Sequence, residues 1–249
     1  MKEANKTLNL CGHATVTARW RRAPESIQRL FFDYPTSRRI GVMTKALATA
    51  RKVYRCVEPA ELEKIAGTVH HGGIVAVVEA PRLESPRRGD PRRWAAAGEP
   101  VLVLDRIGNA HNLGAIARTA AFLGVKHMVI PDTSEAARPN DAAYRVAEGG
   151  FEHLSVWLPR DLGALVRDLA AAGYDVVAAA TRGGAKSEGN AESAAPVALV
   201  LGNEEEGLSA DLAAACTRAV TLAGTGAVES LNVSVAAAIL LDRLLGRRG

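Results

Sequence analysis

The sequence lacks the features that mark exported and membrane-spanning proteins. Its three cysteines, Cys11, Cys56 and Cys216, are odd in number and widely scattered. They fit neither a disulfide framework nor a zinc site and favour a reducing cytoplasm. No apolar run approaches the length of about 20 residues that a membrane span requires, and the first residues lead into no signal-peptide core. We therefore expect a cytoplasmic protein that is not attached to a membrane.

Motifs of several large enzyme classes are also missing. There is no G-x-G-x-x-G after a first strand and no G-x-x-x-x-G-K-[ST], which disfavours ordinary dinucleotide and nucleoside-triphosphate enzymes. No serine lies in a G-x-S-x-G elbow, which disfavours a serine hydrolase. The aspartates Asp132, Asp141 and Asp175 lack metal-ligand spacing, so we predict no metal site.

The composition is that of a globular protein with unevenly distributed charge. The chain has 249 residues, 48% of them hydrophobic, and can bury a core in one large or two modest domains. Its net charge of +4 divides into +8 over residues 1–100 and −4 over residues 101–249. A basic half joined to an acidic half indicates that one part meets a polyanion, although a compositional bias toward arginine and alanine would give the same pattern.

Residues 81–100 separate two regions of different pattern. This segment holds four of the eleven prolines and five arginines. Prolines spaced in this way oppose helix continuation and central-strand pairing. The segment is therefore interpreted as a linker, either a solvated tether or one whose arginines contact phosphates. We predict an N-terminal domain over 1–80, a linker over 81–98 and a C-terminal domain over 99–249.

Both regions alternate predicted helices and strands. A small N-terminal α/β domain is predicted from strands at 27–32, 53–57 and 74–78 and helices at 12–22, 36–51 and 58–66. In the C-terminal region we predict strands at 101–104, 126–130, 153–158, 175–180, 197–201 and 219–222, with helices at 113–123, 140–147, 161–172, 208–216 and 230–245. Strands that are apolar on both faces indicate a mostly parallel sheet with helices on both faces. Ligands of such sheets bind at the carboxyl ends of the strands.

The first polar cluster follows the predicted strand 101–104 and spans residues 105–120. Asn112 is predicted to cap the helix that carries Arg118. Arg118 lies six residues further on, about 9 Å in helical rise, so both side chains could serve one substrate. A surface arginine beside an ordinary cap would give the same pattern.

A second cluster follows the predicted strand 197–201. Gly202 ends the strand, and the missing side chain would let a ligand approach the backbone. Three carboxylates at 204–206 then crowd one loop and require a cation, an arginine or solvent as a partner. The alternative is a solvated acidic loop before a helix N-terminus, which suits negative charge.

A third cluster places Ser230, Asn232 and Ser234 together at the predicted opening turn of the last helix. One helix cap needs one such residue. The surplus indicates polar groups that face a ligand, and the alternative is a cap with more polar residues than it uses.

In order, these clusters resemble the three motifs of the SpoU (TrmH-type) RNA ribose 2′-O-methyltransferases: N-L-G-A-I-A-R-T-A at 112–120, L-G-N-E-E-E-G-L at 201–208 and E-S-L-N-V-S-V-A at 229–236. The segment E-L-E-K-I-A-G-T-V-H-H-G-G at 61–73 is similar to the small RNA-binding domain of that family. R-V-A-E-G-G at 145–150 resembles a less-characterised bacterial branch.

The resemblance implies the SPOUT fold, in which the C-terminal domain threads a trefoil knot, a rare exception to unknotted topology. It also implies an L30e-like N-terminal domain and S-adenosylmethionine bound in a bent form by the knot loops. Backbone groups of Gly202, Leu222 and Leu231 would bind this cofactor. Family members form homodimers through the knotted domain, with the active site close to the interface.

The resemblance assigns catalytic roles to Asn112, Arg118, Glu204, Ser230 and Asn232. In the family the residue that matches Arg118 is usually proposed to activate the hydroxyl, but the pKa of arginine lies so far above neutral pH that a neutral guanidine is scarce. We expect instead that Arg118 binds the phosphate beside the target ribose and stabilises developing alkoxide charge. Glu204 would orient Arg118 or Asn112, while Ser230 and Asn232 would position the nucleotide and cofactor.

The expected function is therefore S-adenosylmethionine-dependent methylation of a ribose 2′-hydroxyl in structured rRNA or tRNA. A non-catalytic RNA-binding or ribosome-assembly factor that retains the fold is the alternative. Base methylation by a related knotted enzyme is disfavoured because the N-L-G…R and S-L-N segments match the ribose-modifying group.

Overall fold

The computed structural model describes residues 7–180, 195–203 and 205–246. Its strands are β1 (Thr7–Cys11), β2 (Ile27–Phe32), β3 (Val53–Cys56), β4 (Ile74–Glu79), β5 (Val101–Leu104), β6 (His127–Val129), β7 (Ser155–Trp157), β8 (Asp175–Ala180), β9 (Val197–Leu201) and β10 (Arg218–Thr221). Its helices are α1 (His13–Arg22), α2 (Tyr34–Ser37), α3 (Gly41–Thr49), α4 (Pro59–Ala66), α5 (Asp90–Ala96), α6 (Ala110–Phe122), α7 (Asp141–Ala147), α8 (Leu162–Ala171), α9 (Ala210–Ala215) and α10 (Val233–Leu245).

The N-terminal half forms a four-stranded mixed sheet in the order β1-β4-β2-β3. The pairs β1–β4 and β4–β2 are antiparallel, and β2–β3 is parallel. Helix α4 begins at Pro59, where the missing N–H removes no helical hydrogen bond. The small α/β domain is confirmed, and β1 is an additional strand that the sequence pattern did not indicate.

The C-terminal half forms a six-stranded sheet in the order β10-β8-β9-β5-β6-β7, and all its neighbouring strands are parallel. Because successive side chains of a strand point to opposite faces, β5 shows how the layers are arranged. Leu102 and Leu104 pack in the core that contains α6 and α10. Val101 and Val103 pack in the core that contains α8 and α9. The predicted parallel sheet with helices on both faces is confirmed.

The segment predicted as a proline-rich linker packs against the C-terminal sheet. Glu84 forms a parallel bridge with Trp157 of β7, and Trp94 of α5 is only 1% exposed in the core. The expectation that the prolines exclude a helix here was wrong, because Pro91 lies in the first turn of α5, where proline is tolerated.

The two halves share an interface on the side of α7. The Asn9 N–H of β1 donates to Asp141 Oδ1 at 3.1 Å. In the same interface, a guanidinium nitrogen of Arg19 on α1 lies 2.8 Å from Glu152 Oε1, and these side chains are only 6% and 4% exposed. In the described ranges, no helix is long and apolar enough to cross a membrane.

Candidate active site

A cleft of about 460 Å³ lies at the carboxyl ends of β8, β9 and β10. This volume is within the usual range of small-molecule sites, and the position is where open parallel sheets bind ligands. The predicted cofactor residues Gly202, Leu222 and Leu231 all line the cleft, together with Ser230. The structure therefore brings together four of the predicted site residues, three from two separate motifs and Leu222 from directly after the end of β10.

The close approach of two backbone segments explains the glycine at position 202. A Cβ atom at Gly202 would lie 2.3 Å from the carbonyl carbon of Gly207 and 2.4 Å from the Leu208 nitrogen. The sequence suggested a ligand as the reason for this glycine, but the backbone of the same loop already requires it. Gly202 thus lets the second-motif loop fold back on itself at the edge of the cleft.

Asn203 and Arg106 hold this loop in place. The Asn203 side-chain oxygen accepts the N–H groups of Glu205 and Glu206 at 2.9 and 3.1 Å, and its amide donates to the Arg106 carbonyl at 3.0 Å. The Arg106 guanidinium pairs with Glu206 and with the buried Asp105. The hydrogen bond to Asp105 is the main cause that raises the pKa of Arg106. The acidic run therefore has an arginine partner.

The predicted catalytic residue Glu204 lies outside the described residues. Its predicted contact with Arg118 or Asn112 stays a prediction.

Helix α6 begins three residues earlier than the sequence suggested. Asn109 is its N-cap, and its side-chain oxygen accepts the N–H groups of His111 and Asn112. The prediction that Asn112 is the cap was therefore wrong, because Asn109 already satisfies the first orphan donors. Asn112 lies in the first turn, and its Oδ1 accepts a hydrogen bond from the Asn232 amide at 3.1 Å.

The same pair defines the start of α10. Asn232 is the N-cap, and its Oδ1 accepts the Ser234 N–H at 2.9 Å. Helix α10 therefore begins at Val233, and Ser230 precedes it, contrary to the prediction that Ser230 lies in the opening turn. One side chain thus performs two tasks, since its oxygen caps the helix and its amide binds Asn112.

Arg118, like Asn112 and Asn232, is not among the described residues that line the cleft. Its guanidinium pairs with Glu148 Oε2 at 2.9 Å, and the two side chains are 56% and 52% exposed. The sequence pattern marked the segment 145–150 but indicated no role for Glu148. A glutamate directly before two glycines at a helix end was the signal available there.

Within the described residues, no group of three His, Cys, Asp or Glu side chains could hold a metal ion. One polar atom of the cleft wall has no protein partner in those residues: the hydroxyl of Thr221, at the end of β10, is buried without a hydrogen bond. A buried hydroxyl usually has a partner, so this atom departs from the common pattern.

Each half of the chain matches a known protein family model. Residues 99–242 match the model of the SpoU rRNA Methylase family, and residues 10–84 match that of the RNA 2′-O ribose methyltransferase substrate binding domain. These matches agree with the two regions defined by the sheets.

Two curated relatives show the extent of the similarity. The chain is 35% identical over 234 residues to the uncharacterized tRNA/rRNA methyltransferase YfiF of Escherichia coli O157:H7, which covers 92% of this chain and 65% of that protein. It is 33% identical over 248 residues to the 23S rRNA (guanosine-2′-O-)-methyltransferase RlmB of Ralstonia nicotianae, with 98% and 97% covered. The chain thus spans just under two thirds of the length of YfiF and nearly all of RlmB.

Solved structures support the fold. An AdoMet-bound rRNA methyltransferase from Sinorhizobium meliloti is similar with a TM-score of 0.76 at 23% identity, covering 96% of this chain and 86% of that one. The SpoU methyltransferase AviRb from Streptomyces viridochromogenes, in complex with AdoMet, gives 0.71 at 22% identity, covering 96% and 89%.

Proposed function

The chain belongs to the SpoU rRNA Methylase family, and we propose that it transfers a methyl group from S-adenosylmethionine to a ribose 2′-hydroxyl of structured RNA. The observation that carries this proposal is the cleft, where Gly202 and Leu222 meet Ser230 and Leu231 at the carboxyl ends of parallel strands. Asn232, which donates a hydrogen bond to Asn112, directly follows the cleft residue Leu231 in the sequence. The relatives named as 23S rRNA guanosine methyltransferases make rRNA the first substrate to test.

The residues of the cleft fit S-adenosylmethionine. Apolar side chains such as Val220, Val233 and Leu240 line it and suit an adenine ring. The backbone groups around Leu222 offer polar contacts. The bound cofactor would supply a sulfonium-activated methyl group, which requires no metal ion.

The chain's own residues would then orient the RNA. A guanidinium is a positively charged group with five N–H donors, so we propose that Arg118 binds the phosphate beside the target ribose and stabilises the alkoxide. The hydrogen bond between Asn112 and Asn232 fixes the start of α6 against the start of α10. Ser230, on the cleft wall, would contact the nucleotide, and Glu204 is proposed to orient the adjacent polar groups.

We also propose a homodimer formed through the C-terminal half. The apolar side chains of Phe122, Val228, Leu231 and Val235 are exposed in the single chain, and large exposed apolar side chains support a protein interface. The position of Arg118 outside the cleft agrees with an active site completed close to that interface. The trefoil knot, the division at 1–80, 81–98 and 99–249, and a cytoplasmic location belong to the same proposal.

The test is transfer of labelled methyl from S-adenosylmethionine to rRNA and tRNA, followed by nucleoside analysis. We expect 2′-O-methylated nucleosides with the wild-type protein. Arg118→Ala should abolish turnover and leave the dissociation constant of the cofactor nearly unchanged. Cofactor and RNA binding without any methylated product would instead support a non-catalytic RNA-binding factor, and an active Arg118→Ala variant would refute the role of Arg118.

A further inference from the structure

We propose that Glu148 is a positioning residue for Arg118, and that its turn transmits the position of the N-terminal half to this arginine. The inference rests on the proposed function, because it assumes that Arg118 acts on the RNA. It adds a residue that lies outside the three motifs and names the path by which the two halves communicate.

The ion pair itself is oriented but exposed. Glu148 Oε2 lies 2.9 Å from a terminal nitrogen of Arg118, and both side chains are about half exposed. Pairs of this kind contribute little to folding stability. A contribution to the direction of the guanidinium is therefore the better explanation. Arginine has five N–H donors, so a carboxylate on one edge leaves others for an RNA phosphate.

The backbone at Glu148 supports a role for its side chain. Glu148 ends α7 in the left-handed conformation, with φ of 44° and ψ of 44°. This conformation favours glycine, and a glutamate there is strained. Glycine would adopt this turn conformation with less strain. The next residue, Gly149, also has a positive φ, of 92°. The glutamate therefore satisfies a requirement other than the turn.

The two glycines after Glu148 place the turn between α6 and α1. A Cβ on Gly150 would lie 2.9 Å from the Ala117 carbonyl oxygen and from the Arg118 Cα, so the turn packs directly on the backbone of the arginine. A Cβ on Gly149 would lie 2.9 Å from the Cβ of Ala18 on α1. No side chain fits at either contact, and the turn is fixed from both sides.

A buried ion pair holds the same element. The 3₁₀ helix Gly150–His153 follows the turn, and its Glu152 pairs with Arg19 of α1 at 2.8 Å. A displacement of α1 would therefore move the turn, and with it the carboxylate that faces Arg118. RNA bound by the N-terminal half can in this way set the direction of the arginine.

Two substitutions separate this role from a structural one. Glu148→Gly removes the carboxylate and relieves the left-handed strain, so the variant should be at least as stable as the wild type. Glu148→Gln keeps the size and removes the charge. For both variants we expect kcat to fall about tenfold or more, because misplacement of a group that acts on the substrate slows the reaction. KM for RNA should change less than about threefold, and cofactor affinity should stay unchanged.

Asp168→Asn is the matched control. Asp168 is exposed on α8, a helix that packs on the opposite face of the sheet from α6. The variant loses one negative charge, as Glu148→Gln does, and should keep the wild-type kcat. If Glu148→Gly keeps full activity, the carboxylate has no positioning role and the proposal is overturned.

A double substitution tests whether Glu148 acts through Arg118. In an Arg118→Lys background with residual turnover, adding Glu148→Gly should lower kcat by less than about twofold, because residues that act together are non-additive. If the losses in kcat from the two substitutions instead multiply, the proposal is overturned.

An NMR measurement works without turnover and so distinguishes failure of this inference from failure of the proposed function. The Arg118 Nε–H signal, assigned with Arg118→Lys, should become more mobile on the ps–ns timescale in Glu148→Gln. Unchanged mobility would show that Glu148 does not hold the guanidinium, whether or not the wild type methylates RNA.

Discussion

Replacing Arg19 by methionine is expected to destabilise the interface between the two halves strongly. Arg19 and Glu152 are almost completely buried, and Arg19 also donates to the Tyr144 hydroxyl at 3.1 Å. Glu152 Oε1 lies 2.8 Å from the guanidinium nitrogen without the geometry of a hydrogen bond. The contact is therefore an ion pair. Methionine keeps the apolar stem and removes the charge.

The magnitude follows from the carboxylate that is left behind. Breaking a buried pair by removing one partner costs about 3–5 kcal/mol, whereas replacing both partners is often nearly neutral. Arg19→Met should therefore lower the free energy of unfolding by about 3–5 kcal/mol at pH 7. The double variant Arg19→Met/Glu152→Leu should recover most of that loss. Urea unfolding followed by circular dichroism measures both values.

The effect should depend on pH in a defined direction. Burial is the largest cause that raises the pKa of Glu152, and Arg19 opposes it. Without Arg19 the folded-state pKa rises further above the unfolded value. A carboxyl with a raised folded pKa binds its proton more tightly in the native state, so stability falls as pH rises between the two pKa values. The deficit of Arg19→Met should therefore shrink toward pH 4.5.

Three outcomes would refute this reasoning. The first is a loss below about 1 kcal/mol at pH 7, the value of an exposed pair. The second is a double variant as unstable as the single one. The third is a deficit that grows as the solution is acidified.

Three further substitutions test the site. Gly202→Ala would push a Cβ to 2.3 Å from the Gly207 carbonyl carbon, so we expect at least tenfold weaker cofactor binding by calorimetry; unchanged affinity would contradict the role of the loop. Asn232→Ser keeps a capping oxygen and loses the amide that binds Asn112, so turnover should fall while urea stability changes by less than about 1 kcal/mol; full turnover would exclude a role for that bond. Val235→Asp places a charge on an exposed apolar position of α10 and should give monomers by analytical ultracentrifugation, and an unchanged oligomer would place the interface elsewhere.

Local sequence patterns predicted the elements of the C-terminal sheet because its strands are continuous apolar runs. The strands at 101–104, 175–180 and 197–201 have the predicted bounds. β1 was missed because it is only five residues long and is not a continuous apolar run: Thr7 is exposed and Asn9 is half-buried. Its pairing with β4 completes the strand.

Helix starts were harder to predict because several residues could serve as the cap. Asn109 and Asn112 are both residue types that cap helices, and in the folded chain Asn109 is the N-cap. Likewise, Asn232 rather than Ser230 caps α10. Residue types therefore indicated a polar site, while the hydrogen bond between Asn112 and Asn232, 120 positions apart, required the folded chain.

For Arg118 too, the residue type could be predicted from the sequence but its contact partner could not. Its position on a helix after the first motif could be predicted, but its pairing with Glu148 could not, because the partner is 30 residues away at the end of another helix. The reason for Gly202 could not be predicted either, because the backbone that leaves no room for a Cβ lies at Gly207, at the other end of the same loop.

The central claim, methylation of a ribose 2′-hydroxyl, is tested most directly by alkaline hydrolysis of RNA labelled through S-adenosylmethionine. A 2′-O-methyl group removes the hydroxyl that attacks the neighbouring phosphodiester in alkali, so the label should remain in alkali-stable dinucleotides. We expect that result with the wild-type protein and no label with Arg118→Ala. Label released in mononucleotides would place the methyl group on a base and contradict the account.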